Sequence, residues 1–290
     1  MGIFLCIISG FFWAFFDISR KLSLKKINSI ELLIFFSIIQ IFFFSFWLFF
    51  DSISIDFYSY IFPASFLALI SVLSAFLFLE SIKISELSLT IPLLSFSPLF
   101  SAIFSSIILN ENLNLFQYFG ILNIIFGTMV LYAKNLTLHD ILKSFILIKS
   151  NKGAIYMLIV SIIWSITPVF DKYCFQHASI NFHGFFQSLI MLILLMIIKR
   201  KDFNLITLSF LKNYKLISLT VFIGLVATIL QFFAISTSLV TIMEAIKRTI
   251  GQISSVFLGN LYFKESINFQ KIIGIFLLCL GISSILYFSS

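Results

Sequence analysis

Apolar stretches of one recurring length dominate this chain. Ten can be marked, at 2–19, 30–50, 60–79, 87–109, 115–133, 153–170, 182–198, 216–236, 239–261 and 270–288. A helix rises about 1.5 Å per residue, so each is near the roughly 20 residues that cross a hydrocarbon layer about 30 Å thick. The composition leaves no alternative in water. Apolar residues make up 60% of the chain and charged residues 11%, whereas a soluble domain carries about 25% charged residues. The expectation is an all-α integral membrane protein with no soluble domain. The formal charge of +7 then reports orientation in a membrane and not a nucleic-acid partner. Cys6, Cys174 and Cys279 lie in or beside apolar segments and form no disulfide framework or metal cluster. The N-terminal stretch FLCIISGFFWAFF lacks a basic leader and a small-residue cleavage site, so it reads as a retained helix.

The chain repeats itself. ISGFFWAFFDISRKLSL (8–24) matches VSIIWSITPVFDKYCF (160–175), pairing Trp13 with Trp164 and Lys21 with Lys172. NENLNLFQYFGILNIIFG (110–127) matches KESINFQKIIGIFLLCLG (264–281), pairing Glu111, Asn114, Gly120 and Gly127 with Glu265, Asn268, Gly274 and Gly281. The expected organisation is a five-helix repeat at 1–133, a basic amphipathic linker at 134–152 and a second five-helix repeat at 153–290. Five is odd, so the repeats must point in opposite directions through the bilayer. Ten transmembrane helices as two inverted five-helix repeats is a construction of secondary transporters.

Sixteen of the 19 Lys and Arg residues fall on one side of this arrangement, and Lys172 stands alone on the other with Asp51, Asp56 and Glu111. The basic side is expected to be cytoplasmic and both termini external. Reporter fusions after Lys26, Lys149 and Arg200 should read as cytoplasmic, and a fusion after Ser290 as external. A cytoplasmic C-terminus would reverse the orientation without changing the helix count.

The remaining two cations sit where a membrane least tolerates them. EAIKRTIGQ (244–252) places Glu244, Lys247 and Arg248 inside the ninth apolar stretch, at about 2.5–3.5 kcal/mol each on insertion scales. Lys247 and Arg248 follow Glu244 by three and four residues, so the three share a helical face, which Gln252 and Ser255 extend. One reading is a solute site in a cavity between the repeats, with Lys247 or Arg248 holding an anionic group and Glu244 balancing it. The other is an internal ion pair that fastens the helix, with Lys247 reaching outward. Trp13 and Trp164 occupy matching positions and are candidate solute contacts, and Pro168 frees the carbonyl of Trp164. Gln231, in the eighth stretch, serves as a solute contact or an interhelical hydrogen bond. Asp17 with Arg20, Glu80 with Lys83, and Asp171 with Lys172 read as gate residues or as ion pairs at helix ends. Pro92 and Pro98 imply a bent fourth helix. His139, His177 and His183 fall in loops or at helix ends and read as neither metal ligands nor catalysts. No metal, cofactor or enzyme motif is present: there is no H-E-x-x-H, no G-x-S-x-G and no P-loop.

The ten-helix pattern, LNENLNLFQYFG and YFKESINFQKIIG around Glu111 and Glu265, AIKRTIGQISSVFLG, and Trp13 within FFWAFFDISRK together resemble the drug/metabolite transporter superfamily, EamA type, over essentially the whole chain. That resemblance implies a transporter of small organic solutes, amino acid-like, sugar-like or similarly polar, and not an enzyme. Its partners would be a small-molecule solute and membrane lipid, with proton or ion coupling open, as a monomer or homodimer without nucleic acid. A bacterial inner membrane is the expected location. The family is commonly described with cytoplasmic termini, and the charge count places them outside. The alternative is a membrane-embedded lipid-handling protein or flippase component without solute transport.

Overall fold

Polar residues punctuate the apolar stretches and set where helices begin. In the computed structural model, Asn28, Asn114 and Asn268 stand immediately before helices in extended backbone. The Asn114 side chain accepts from Gln117 N at 2.9 Å, and that of Asn268 from Lys271 N at 3.0 Å. Each bond satisfies an amide that the first helical turn cannot. The structure describes all residues except 1, 52, 86, 134, 143–145, 147–149, 199–202, 265, 289 and 290. Glu265 and the basic residues Lys134, Lys143, Lys149, Lys199, Arg200 and Lys201 therefore lie outside the described residues, as does the side chain of Lys83.

The helices are α1 (Gly2–Ser23), α2 (Ser29–Leu48), α3 (Phe57–Ile84), α4 (Leu87–Leu94), α5 (Ser97–Ile108), α6 (Leu115–Tyr132), α7 (Leu138–Ile141), α8 (Lys152–Phe175), α9 (Ile180–Ile198), α10 (Phe203–Thr237), α11 (Val240–Phe263) and α12 (Phe269–Tyr287). Nine spans among the described residues are long and apolar enough to cross a membrane, with Thr90–Ile108 counted as one across its break. The tenth crossing helix is α11, whose 24 residues suffice in length and whose three charges set it apart in composition. The protein is thus an all-α membrane protein. No strand occurs among the described residues, apart from an isolated bridge between Ile55 and Ala178.

The fourth crossing is broken as its prolines imply. α4 ends at Leu94 and α5 begins at Ser97, with Pro98 in its first turn. The Ser95 hydroxyl and amide both donate to the Pro92 carbonyl, at 2.5 and 3.1 Å, where α4 ends. The break leaves the start of α5 with backbone donors that no helical turn uses.

Contacts divide the chain into two compact units, 1–72 with 170–237 and 73–169 with 238–290. α3 and α8 each contribute one part to each unit, so the units and the sequence repeats are different partitions. In the first unit α1 packs on α10, where Ser23 and Thr220 hydroxyls meet at 2.9 Å beside Ile27, Leu32, Ile217 and Val221. α2 packs on α9, with Phe44 set over Gly184, where a Cβ would fall 2.4 Å from the ring.

In the second unit the repeat symmetry is visible in one helix pair. A Cβ on Gly120 would lie 2.7 Å from the Gly281 carbonyl, and one on Gly127 would lie 3.1 Å from that of Gly274. The first glycine of α6 meets the second of α12 and the reverse, so these equivalent helices run antiparallel, as inverted repeats require. Their ends cap each other. Asn114 and Gln117 side-chain amides donate to the Phe288 carbonyl at 3.0 and 3.4 Å, and Gln270 donates to the carbonyls of Val130 (2.8 Å) and Ala133. Asn110 and Lys264, also 154 residues apart, share a left-handed backbone with φ of 55° and 54°.

Glu111 caps a helix other than the one it precedes. Its place at the start of α6 is taken by Asn114, and its carboxylate accepts instead from Val240 N, the first residue of α11, at 2.9 Å. A buried carboxylate there meets both an unsatisfied amide and the positive end of the helix dipole. Glu111→Ala should lower stability by about 1–2 kcal/mol, with Glu111→Gln intermediate, as measured by thermal unfolding of the purified protein.

Candidate functional site

α11 buries its charges by turning them toward two neighbours in the second unit. Met243, Glu244, Ala245 and Ile246 are fully buried, so Glu244 has no access to water and must be neutralised by protein. It is paired with Lys247, one helical turn on, and with Arg248, whose Nη2 lies 3.6 Å from Oε2. The Ser97 hydroxyl at the start of α5 bridges the pair. It lies 3.3 Å from Glu244 Oε2 and accepts from Arg248 Nε at 2.8 Å. The break in the fourth crossing puts this serine at a helix start, where it can face α11.

Trp164 completes the group. Arg248 Cζ sits 5.3 Å from the centre of its ring, within the range of a cation–π contact. The indole is held by a 3.1 Å hydrogen bond from Nε1 to the Ser74 hydroxyl and by Phe78, whose ring centre is 5.0 Å away. Two cations share one carboxylate. Gly251 lies one turn beyond Arg248, and a Cβ there would meet nothing within 4 Å.

The lower part of the polar stripe does other work. Gln252 accepts from Thr128 Oγ1 on α6 at 2.6 Å, and Ser255 lies 3.1 Å from the Tyr132 hydroxyl. These contacts join α11 to α6. Gln252 is therefore engaged by α6, whereas Glu244 and Arg248 face α5, and Arg248 also faces α8.

The remaining residues singled out in the sequence do not gather here. Glu80, in the second unit, is exposed. Trp13, Asp17, Arg20, Asp171, Lys172 and Gln231 belong to the first unit. Trp13 packs edge-on against Phe16 at 5.6 Å. Asp17 and Arg20 form a local pair at 2.8 Å, with the Asp17 side chain 57% exposed. Gln231 is buried in α10.

Asp171 has a partner that sequence reasoning missed. His183 lies at a helix end, in the first turn of α9, and is fully buried. Its Nε2 is 2.9 Å from Asp171 Oδ1 and its Nδ1 is 3.0 Å from the Tyr60 hydroxyl. A signal was present: Asp171 and His183 lie six residues either side of His177, in the short connection between α8 and α9, so antiparallel helices bring them level. Outside the spans, Asp56 has its carboxyl held below the usual range, chiefly by the Ser59 hydroxyl and further by Ser59 N and the nearby His177.

Comparisons place this geometry among known proteins. The model of the EamA-like transporter family matches residues 1–133 and 151–287. A search of curated proteins returned no match. A solved structure described only as "Crystal structure of protein" is similar in fold, with a TM-score of 0.69 over 99% of this chain and 98% of that one, at 13% identity. The family match falls on both halves of the chain and covers nearly all of it, so this protein belongs to the EamA-like transporter family, within the drug/metabolite transporter superfamily, and is a membrane transporter of small solutes.

Proposed function

We propose that this transporter is a secondary carrier for a small organic metabolite bearing an anionic group, moved by alternating access, and that Arg248 receives that group. The observation that carries the reading is the sharing of one fully buried carboxylate, Glu244, by Lys247 and Arg248. The Arg248 guanidinium lies beside an indole and next to an unobstructed stretch of helix at Gly251. A bound anion would pair with it, and Trp164 would offer a flat apolar surface to the rest of the solute. Three buried hydroxyls on the same helices, Ser101 of α5, Ser161 of α8 and Thr249 of α11, have no hydrogen-bond partner among the described residues. Buried polar groups are ordinarily hydrogen-bonded, so these retain capacity for solute or water.

A thermal-shift screen against amino acids, sugars, nucleotides and polyamines tests the reading. Ligand at about 100 times its Kd stabilises a fold by about 2.7 kcal/mol. Anionic or zwitterionic compounds should raise the melting temperature, and polyamines should not. Stabilisation by polyamines alone would contradict the assignment of Arg248.

A further inference from the structure

The first unit holds three polar side chains that the solute reading does not use. Asp171 lies near the C-terminal end of α8, Tyr60 in the first turn of α3 and His183 in the first turn of α9. Tyr60 and His183 are fully buried, and the Asp171 side chain keeps 11% of its surface. The imidazole is enclosed by rings, with Phe175 at 5.1 Å and Phe232 at 5.7 Å between centroids. The titratable groups around it are Tyr60 from α3 and Asp171 and Cys174 from α8, Cys174 sharing a core cluster with Tyr60. α10 presents Phe232. At the helix ends, Lys172 follows Asp171, and Asp56 faces His177 at 3.7 Å.

The hydrogen inventory of this chain of contacts has two states. An ionised carboxylate only accepts, so His183 Nε2 must carry a hydrogen. A neutral imidazole then accepts at Nδ1 from the Tyr60 hydroxyl, and the group bears one negative charge. Adding one proton neutralises it. The proton forms an O–H bond on Asp171 or an N–H bond on His183 Nδ1. In the second case Tyr60 Oη turns from donor to acceptor, and its own hydrogen loses Nδ1 as its acceptor. Ionisable groups inside membrane spans are costly, and they mark ion and proton pathways.

We propose that Asp171, His183 and Tyr60 form the binding site of a coupling proton, which enters through Asp171, the member with surface exposure. The inference rests on the reading of the chain as a carrier. The competing account is a fixed fastener of α3, α8 and α9 that exchanges no proton.

The chain has three histidines, so nitrogen-15 labelling of histidine in the purified protein gives few signals, and His183→Gln identifies the relevant pair. The His183 signals should change as the pH is varied between about 5 and 9. Asp171→Asn removes the carboxylate at Nε2 and should change that response. In proteoliposomes on a solid-supported membrane, a pH jump without solute should displace charge in the native protein and not in the Asp171→Asn, His183→Gln double variant, whose melting temperature serves as the folding control. Constant His183 signals over this range, a response unchanged by Asp171→Asn, or equal charge displacement in the double variant would overturn the proposal. If the variants do not fold, titration of the native protein decides alone. These readouts use only protons, so failure of the solute screen leaves them intact and falls on the carrier reading instead.

Discussion

Replacing Arg248 by Ala should strongly weaken solute-induced stabilisation and transport while leaving the protein folded. The guanidinium makes charge-assisted contacts, each about 1.5–3 kcal/mol, so affinity should fall by about tenfold to a hundredfold. Stability should change little, because Glu244 keeps its pairing with Lys247. Glu244→Ala should behave in the opposite way. It leaves Lys247 and Arg248 adjacent without their shared carboxylate, and breaking a buried pair costs about 3–5 kcal/mol. Arg248→Lys should retain the charge and lose function in part, since an ammonium cannot reproduce a planar group that both faces Trp164 and donates to Ser97. The swap of Glu244→Arg with Arg248→Glu keeps a pair but presents a carboxylate to the indole, so it should restore folding without transport. Transport and melting temperature must be measured on the same variants. Full transport by the swap would assign Arg248 to fastening the helix.

The second large effect is expected at the α6–α12 crossing. Gly281→Val should destabilise the protein by about 3 kcal/mol, the upper part of the range for overpacking. A Cβ at this position would meet the Gly120 carbonyl at 2.7 Å and Ile124 N at 3.0 Å, so the backbones themselves must separate. Separation also weakens the mutual capping by Asn114, Gln117 and Gln270 at both ends of the pair. Gly251→Ala is the matched control. Its Cβ enters open space, and Ala is a better helix former than Gly by about 1 kcal/mol, so the melting temperature should hold or rise. If Gly281→Val melts with the native protein, the close crossing is not what binds α6 to α12.

Much of this protein was determined by sequence alone, because the bilayer constrains so strongly. Hydrocarbon forces each crossing to be a helix of one length, so the apolar stretches could be counted directly, and the 154-residue offset disclosed the inverted repeat. Arg248, Lys247 and Glu244 were legible for the same reason: charges in an apolar run require partners, and helical spacing supplies them. Tertiary structure decided what helical spacing cannot reach. Ser97 joins Arg248 only because the fourth crossing breaks ahead of it, and Trp164 only because α8 lies alongside. Gln252 shares the stripe with Arg248 in sequence, yet Thr128 claims it from α6. Glu111 caps α11 and not its own helix because Asn114 already fills the nearer role. His183 was legible as a helix-end residue, but its partners were not: α3 and α8 bring Tyr60 and Asp171 to its two nitrogens. A side chain's partners across a bundle depend on which helices pack together, a choice made by the whole set of small and large residues at each crossing and not by local periodicity.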